Sequence, residues 1–323
     1  MSEFNIIDEY FNWGKLHESI VKGVGDDAAI LEVPSDKSLV VSVDTSLSGV
    51  HFPENTRPFD IAWKSLAVNL SDLAAMGATA EWFTLALTLP SGVSQEDKAW
   101  LASFSEGLKV LSDQSGCKLV GGDTTKGALS ITIQVMGFVD KGKGLLRSGA
   151  KIGDKLYVTG TVGDAAVGLS LLLSDSESLN INTLDLNGQH YCKKRLNQPT
   201  PRISESRVIK EFASSCIDLS DGLLQDLSHV LKVSNVGATI NLSAIPLSDA
   251  LMSINRETAL SFVFKGGDDY ELLFTIPEED ESAFLSKIGR SNVACIGTIN
   301  DQVLSLTDYE GNKLQAKGYN HFL

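Results

Sequence analysis

The feature that most constrains this chain of 323 residues is an alternation of hydrophobic periods between residues 38 and 139. Residues 38–44 hold an apolar run (Leu39, Val40, Val41, Val43) that leads into a polar turn, which predicts a strand. Over residues 58–76, Ile61, Ala62, Leu66, Ala67, Leu70, Leu73 and Ala74 fall near helical spacing, and Gly77 supplies the stop. Residues 82–89 read as a second strand, closed by Pro90. Residues 94–115 read as a second helix, with Ser94 and Asp97 placed as a capping box and Gly116 behind it. Strands over 117–120 and 129–139 complete the run. Strand, helix, strand, helix, strand, strand predicts a mixed sheet with helices on one face.

A stretch rich in Gly and Lys, residues 141–155, then reads as a linker or a mobile basic loop. Beyond it come a strand (156–159), a Gly turn (159–163), a helix (164–174) and a polar stretch (175–188). Helices over 201–214 and 222–234 and strands over 238–242, 272–276 and 293–298 follow. The expected fold class is therefore α/β (α+β) in two domains. Residues 1–148 form the N-terminal mixed-sheet domain and 149–323 a C-terminal α/β sandwich.

The formal net charge of −14 argues against nucleic acid or an anionic membrane as a partner, since both demand a cationic footprint. No apolar run approaches a membrane span, and residues 1–10 have neither the basic start nor the apolar core of a signal peptide. The four cysteines (Cys117, Cys192, Cys216, Cys295) form no CxxC or CxxH pair, so a zinc site is not expected. Their wide spacing suits reduced thiols in a cytoplasmic protein.

Six short segments carry acids beside Gly, Ser or Thr: Gly25-Asp26-Asp27, Ser42-Val43-Asp44-Thr45, Ser71-Asp72, Gly121-Gly122-Asp123-Thr124-Thr125, Asp218-Leu219-Ser220-Asp221-Gly222 and Gly266-Gly267-Asp268-Asp269-Tyr270-Glu271. Singly, each has a plain structural reading. Asp44 can cap the next turn, Gly121-Gly122 can make a hairpin, and Asp218 or Ser220 can cap a helix. Jointly they suit a magnesium-dependent phosphotransferase. Mg²⁺ takes a few carboxylates and keeps waters, and phosphoryl transfer needs charge neutralisation and positioning more than covalent chemistry. There is no GxxxxGK[ST] phosphate loop and no HRD or DFG set. Arg147 would add a guanidinium that pairs with phosphate.

GVGDDAA, SVDTSLSGVHF, AVNLSDLAAMGA, LVGGDTTKG, RSGAKIGDKLYVTGTVGDAAVGL, IDLSDGL, GGDDYEL and KGYNHF, in order from residue 23 to 322, together resemble the bacterial thiamine-monophosphate kinases. These are relatives of the aminoimidazole-ribonucleotide synthetases. The resemblance implies ATP-dependent phosphorylation of thiamine monophosphate to thiamine diphosphate by direct in-line transfer, with ATP as co-substrate and several Mg²⁺ ions. It implies a homodimer formed through the N-terminal domain, with the C-terminal domain completing the active site. By motif, Asp27, Ser42, Val43, Asp44, Asp72, Asp123, Asp218 and Asp221 correspond to metal ligands. Gly122, Asp123, Arg147 and Ser220 correspond to ATP contacts, and His51, Asp268 and Tyr319 to substrate contacts.

Two positions depart from that pattern. Asp268 stands where the family commonly has Glu, and Lys126 where Arg often follows the Gly-Gly-Asp-Thr-Thr motif. Asp268 loses a methylene of reach, and Lys126 keeps the charge but loses bidentate geometry. Other ATP-using members of the superfamily act on carbamoyl groups or selenide through a cysteine near one end, which this sequence lacks. A non-catalytic nucleotide- or cation-binding protein is the remaining alternative. His17, His190, His229 and His321 have no motif support and are assigned no role.

Overall fold

The computed structural model describes residues 3–14, 18–90, 95–173, 181 and 183–316. Tyr319, Ser94 of the capping box and, within the polar stretch 175–188, residues 175–180 and 182 lie outside them. The chain forms two compact units, Met1–Leu73 with Ala78–Lys143, and Ala74–Gly77 with Gly144–Leu323.

The first unit runs α1 (Glu3–Ile6), β1 (Ile20–Lys22), β2 (Ile30–Leu31), β3 (Lys37–Leu47), α2 (Pro58–Ala75), β4 (Thr79–Leu89), α3 (Gln95–Ser115), β5 (Lys118–Lys126) and β6 (Ser130–Asp140). A mixed four-stranded sheet has the order β3-β6-β4-β5, with β5 parallel to β4 and the other pairs antiparallel. Alternation sets its two faces. Phe83, Leu85 and Leu87 of β4 and Ile131, Ile133 and Val135 of β6 are buried, as are Leu66, Leu70 and Leu73 of α2 and Leu101, Phe104 and Leu108 of α3. The opposite face is covered in part, where Ile20, Trp82, Val120 and Phe138 cluster with Ala29 and Leu31. Along β3 that face carries Leu39, Val41, Val43 and Leu47, all exposed.

Two segments differ from their expected structure. Asp44 does not follow the end of a strand; β3 continues to Leu47, paired in register with Ser130–Ile133 of β6. Gly121-Gly122-Asp123-Thr124-Thr125 is not a hairpin turn either. It lies inside β5, where parallel pairing with β4 overrides the weak strand propensity of the glycines. Gly122 is required by close approach, since a Cβ there would meet the Leu85 carbonyl oxygen at 1.9 Å.

The second unit holds β7 (Lys155–Thr159), α4 (Asp164–Leu172), α5 (Leu186–Asn197), α6 (Ile203–Ile209), β8 (Ser215–Asp218), α7 (Leu223–Ser234), β9 (Gly237–Ile240), α8 (Asp249–Met252), α9 (Arg256–Lys265), β10 (Leu272–Ile276), α10 (Glu281–Ile288), β11 (Val293–Asn300) and β12 (Leu306–Asp308). Its sheet has the order β12-β9-β11-β7-β10-β8. Successive residues feed separate cores on the two faces. Leu156, Val158 and Leu273 pack with α7 and α9, whereas Tyr157, Leu272, Phe274 and Ile276 pack with α6 and α10. Such double burial explains why β10 reads as a nearly continuous apolar run, interrupted only by Thr275.

The segment read as a linker is irregular but tied down. The Leu146 carbonyl accepts from Cys216 N–H at 2.9 Å, Gly153 N–H donates to the Ile299 carbonyl at 2.9 Å, and Ser234 Oγ accepts from Gly149 and Ala150 N–H at 3.2 Å each. The helix expected over 201–214 ends at Ile209, after which Ser215–Asp218 is drawn into the sheet beside β10.

Candidate functional site

In the first unit, Ser42 and Asp44 project from β3 on its more buried side, and Asp72 projects from α2. Ser42 Oγ donates to Asp72 Oδ2 at 2.5 Å. Burial, the Asp72 charge and a hydrogen bond with Asp72 push the Asp44 carboxyl up to about 6. Two carboxylates in contact and partly removed from water repel one another, so they share a proton below about pH 6, and above it a cation can take that proton's place. Asp72 sits in the last turn of α2 despite mediocre propensity because its partners lie across on the strand.

A cavity of about 690 Å³ is lined by Gly23–Ala29 on one side and Leu119–Thr124 on the other, with Ile7 and Phe11 adding an apolar wall. Asp27, Gly122 and Asp123 are all in this lining. Both acids of the Asp26-Asp27 pair are exposed and line the cavity; Asp26 is held by Lys22 Nζ at 3.1 Å and accepts from Asp27 N–H at 3.0 Å. Across the sheet, Asp44 aligns with Ile133, Leu85 and then Gly122. Asp44 and Asp123 therefore belong to opposite edge strands, three interstrand spacings or about 14 Å apart, and project from opposite faces.

In the second unit, Asp218 ends β8, buried to 4% exposure, and Ser220 and Asp221 follow in the turn before α7. This turn is hydrogen-bonded side by side with the Gly266–Glu271 loop. Asp268 N–H donates to the Ser220 carbonyl at 2.9 Å, Tyr270 N–H to the Leu219 carbonyl at 2.8 Å, and Leu219 N–H to the Glu271 carbonyl at 2.8 Å. So close a backbone approach explains Gly267, whose Cβ would meet the Ser220 carbonyl oxygen at 2.0 Å. Asp218, Ser220, Asp221 and Asp268 are thereby gathered on adjoining strands of backbone.

Neither Asp218 nor Ser220 caps α7; that work falls to Asp226. Its Oδ2 accepts from Asp221 N–H at 3.0 Å and Gly222 N–H at 3.1 Å. Burial, with the charges of Asp218 and Asp221, pushes the Asp226 carboxyl up to about 8. Asp221, Asp226 and His229 also offer ligand atoms within 4.8 Å of one another. Sequence reading passed over Asp226 and His229. The available signal was the spacing, one and two helical turns beyond Asp221-Gly222.

Behind the loop lies a buried charge network that sequence reading also missed. Glu271 is 0% exposed and accepts from Arg195 Nη2 at 2.7 Å, Arg202 Nε at 2.6 Å and Thr159 Oγ1 at 2.6 Å. Asp269 Oδ2 accepts from Gly163 N–H at 2.7 Å at the start of α4, and burial pushes its carboxyl up to about 8. Asp164 accepts from Thr161 Oγ1 at 2.6 Å and Ser248 Oγ at 2.5 Å.

The remaining sequence candidates stand apart. His51 is half-buried; its Nδ1 accepts from Leu47 N–H at 3.1 Å, so a neutral ring carries its proton on Nε2. Arg147 is exposed, with its carbonyl near Ser234 Oγ at 3.4 Å. Tyr319 lies outside the described residues. No helix among the described residues is long and apolar enough to cross a membrane.

Comparison with known proteins places this architecture. The N-terminal domain of AIR synthase related proteins matches residues 25–139, and the C-terminal domain matches residues 151–308. Thiamine-monophosphate kinase of Escherichia coli K12 is 45% identical over 99% of this chain and 98% of its own. The crystal structure of thiamine-monophosphate kinase from Stenotrophomonas maltophilia K279a superposes with a TM-score of 0.86 at 41% identity, covering 97% of this chain and 98% of that one. AaThiL complexed with AMPPCP and TMP gives a TM-score of 0.78 at 31% identity, over 93% of this chain and 92% of that one. The chain belongs to the AIR synthase related proteins and, within them, to the thiamine-monophosphate kinase family.

Proposed function

We propose that this chain transfers the γ-phosphoryl group of ATP to the phosphate of thiamine monophosphate, releasing thiamine diphosphate and ADP in a Mg²⁺-dependent reaction. Full-length similarity to thiamine-monophosphate kinases carries the reading. The donor chemistry supports it: every residue in the proposed metal set offers oxygen, as a hard cation requires. Asp44 and Asp72, crowded and partly desolvated, fit a cation in place of the shared proton. Asp27, Ser42, Asp44, Asp72, Asp123, Asp218 and Asp221 are the proposed ligands, with Val43 contributing only its carbonyl oxygen.

Bound Mg²⁺ supplies neutralisation of the charge that builds on the transferring group. Gly122, Asp123, Arg147 and Ser220 are the proposed nucleotide contacts. Gly122 lines the cavity beside Asp123 and would meet a phosphate through its backbone. His51, with its proton on Nε2, directs a donor toward an acceptor phosphate, and Asp268 and Tyr319 hold the acceptor. A substrate phosphate oxygen is already a competent nucleophile, so no general base is required. The turnover assay is direct. Mg²⁺, ATP and thiamine monophosphate together should yield thiamine diphosphate and ADP, with no product when Mg²⁺ is chelated. ATP hydrolysis indifferent to thiamine monophosphate would defeat the reading.

The protein acts, in this proposal, as a cytoplasmic homodimer through its N-terminal domain; free thiols at Cys117, Cys192, Cys216 and Cys295 fit a reducing compartment. Leu39, Val41, Val43 and Leu47, 38–57% exposed on one face of an edge strand, suit a second copy. Two-fold pairing through this face would set β3 of one subunit, the strand that carries Ser42 and Asp44, against β3 of the other. Leu39→Glu combined with Val41→Glu is expected to give monomers in sedimentation velocity and to lose most turnover. A dimer that persists in that variant would rule out this face.

A further inference from the structure

Asp268 and Tyr270 both adopt left-handed backbone, with φ of 67° and 50°. That conformation is uncommon for any residue but glycine and more so for a bulky one. Two such residues flanking a third persist only where their surroundings over-determine them. Here the surroundings do. Asp269, between the two, is buried to 3% exposure and bonded to Gly163 N–H at 2.7 Å. Glu271, next along, is locked by Arg195, Arg202 and Thr159. Backbone bonds from Asp268 and Tyr270 to Ser220 and Leu219 hold the other side.

The result is an alternation in which Asp269 and Glu271 face inward while Asp268 and Tyr270 stay half-buried. Tyr270 Oη donates to Asp268 Oδ1 at 3.0 Å. An aspartate's terminal torsion is broad and poorly fixed by its own rotamer preference. A phenol bonded to one carboxylate oxygen fixes the carboxylate plane and hence the direction of the other oxygen.

We infer that Tyr270 is a positioning residue for the acceptor, acting through Asp268. The inference rests on the reading above, in which Asp268 contacts thiamine monophosphate. A carboxylate repels the acceptor's phosphate, so Asp268 meets the organic end, which offers an amino group and a cationic ring. An aspartate has little reach, so its direction matters to that contact. Tyr270 supplies the direction.

The test is steady-state kinetics on the full chain at saturating ATP and Mg²⁺, with thiamine monophosphate varied. Tyr270→Phe keeps the ring and should raise the KM for thiamine monophosphate by roughly three- to tenfold, the scale of one ordinary net hydrogen bond, since the lost bond acts on the acceptor only through Asp268. Its kcat should change by less than about twofold, and the KM for ATP and the melting temperature should be unchanged. Asp268→Gly removes the carboxylate at a φ that glycine accepts without strain, and should raise the same KM at least as far. In the Asp268→Gly background, Tyr270→Phe should add nothing.

Three results would overturn the inference. One is an unchanged KM in Tyr270→Phe while Asp268→Gly raises it. The second is a further rise in the double variant, which would mean that Tyr270 touches the acceptor by itself. The third is a lowered melting temperature that accounts for the loss in Tyr270→Phe. An unchanged KM in Asp268→Gly would instead defeat the prior reading of Asp268, and the inference with it.

Discussion

Asp72→Asn is expected to lower turnover by on the order of 10²–10³-fold, the scale seen when one charge-stabilising group leaves an active site. The fold should survive, because the change removes a charge and no core volume. Metal-free protein at pH 7.5 should melt about 2–4 °C higher, as a relieved repulsion of about 1 kcal/mol would produce. The sign follows from Asp44, whose carboxyl is raised from 3.8 to about 6 by burial first and by the Asp72 charge second. A carboxyl raised in the folded state binds its proton more tightly there than in the unfolded chain. Its favourable contribution is present at low pH and is lost as pH rises through about 6. The variant's gain should therefore appear above that pH and vanish by about pH 5. Mg²⁺ should raise the melting temperature of the wild type at pH 7.5 and do so much less in the variant. Scanning calorimetry with and without Mg²⁺, beside the turnover assay, checks each part. Wild-type turnover in Asp72→Asn would remove it from the metal set.

The largest effect on stability is expected from Glu271→Ala. Glu271 is fully buried between Arg195 and Arg202, and truncation removes the shortest partner of each, leaving Arg195 only Asp164 at 3.8 Å and Arg202 only Glu205 at 3.5 Å among the carboxylates that pair with them. Breaking one partner out of a buried pair typically costs about 3–5 kcal/mol, because the stranded charge cannot return to water. For a domain of this size that is a fall of about 10 °C in melting temperature. Glu271→Gln keeps two acceptor or donor sites in the same volume and should fall less. The damage should also reach function, since Glu271 anchors the loop that carries Asp268 and Tyr270. A melting temperature unchanged in Glu271→Ala would show that the network is not what holds the loop.

Several elements were legible from periodicity alone. The helix over Pro58–Ala75, the strand over Leu272–Ile276 and the helix over Leu223–Ser234 lie close to their expected bounds because their apolar spacing is strong and they stop at Gly77, Pro277 and Asn235. Other elements were hidden. Leu186–Asn197 has a polar sequence with one buried side, including Cys192 and the buried Arg195, so its hydrophobic signal is weak. Ser215–Asp218 is only four residues long, and nothing local separates it from the helix before it. Gly121-Gly122 looked like a turn because a parallel partner is invisible in a local window.

By itself the amino-acid sequence determined the α/β class, the family and the identities of the acids, since motif order survives whatever the chain does in three dimensions. It could not say which acids share a place. Packing of α2 against β3 put Asp72 beside Ser42 and Asp44, and register across β3-β6-β4-β5 set Asp123 on the far edge, where it lines one cavity with Asp27. Backbone pairing of the Leu219–Ser220 turn with the Gly266–Glu271 loop joined two motifs nearly fifty residues apart, as the Asp268-to-Ser220 bond records. Those groupings depend on strand register and on buried partners such as Asp226, Asp269 and Glu271. Both are properties of the packed chain: a carboxylate's charge and direction are set by what lies across from it, not by what precedes it in sequence.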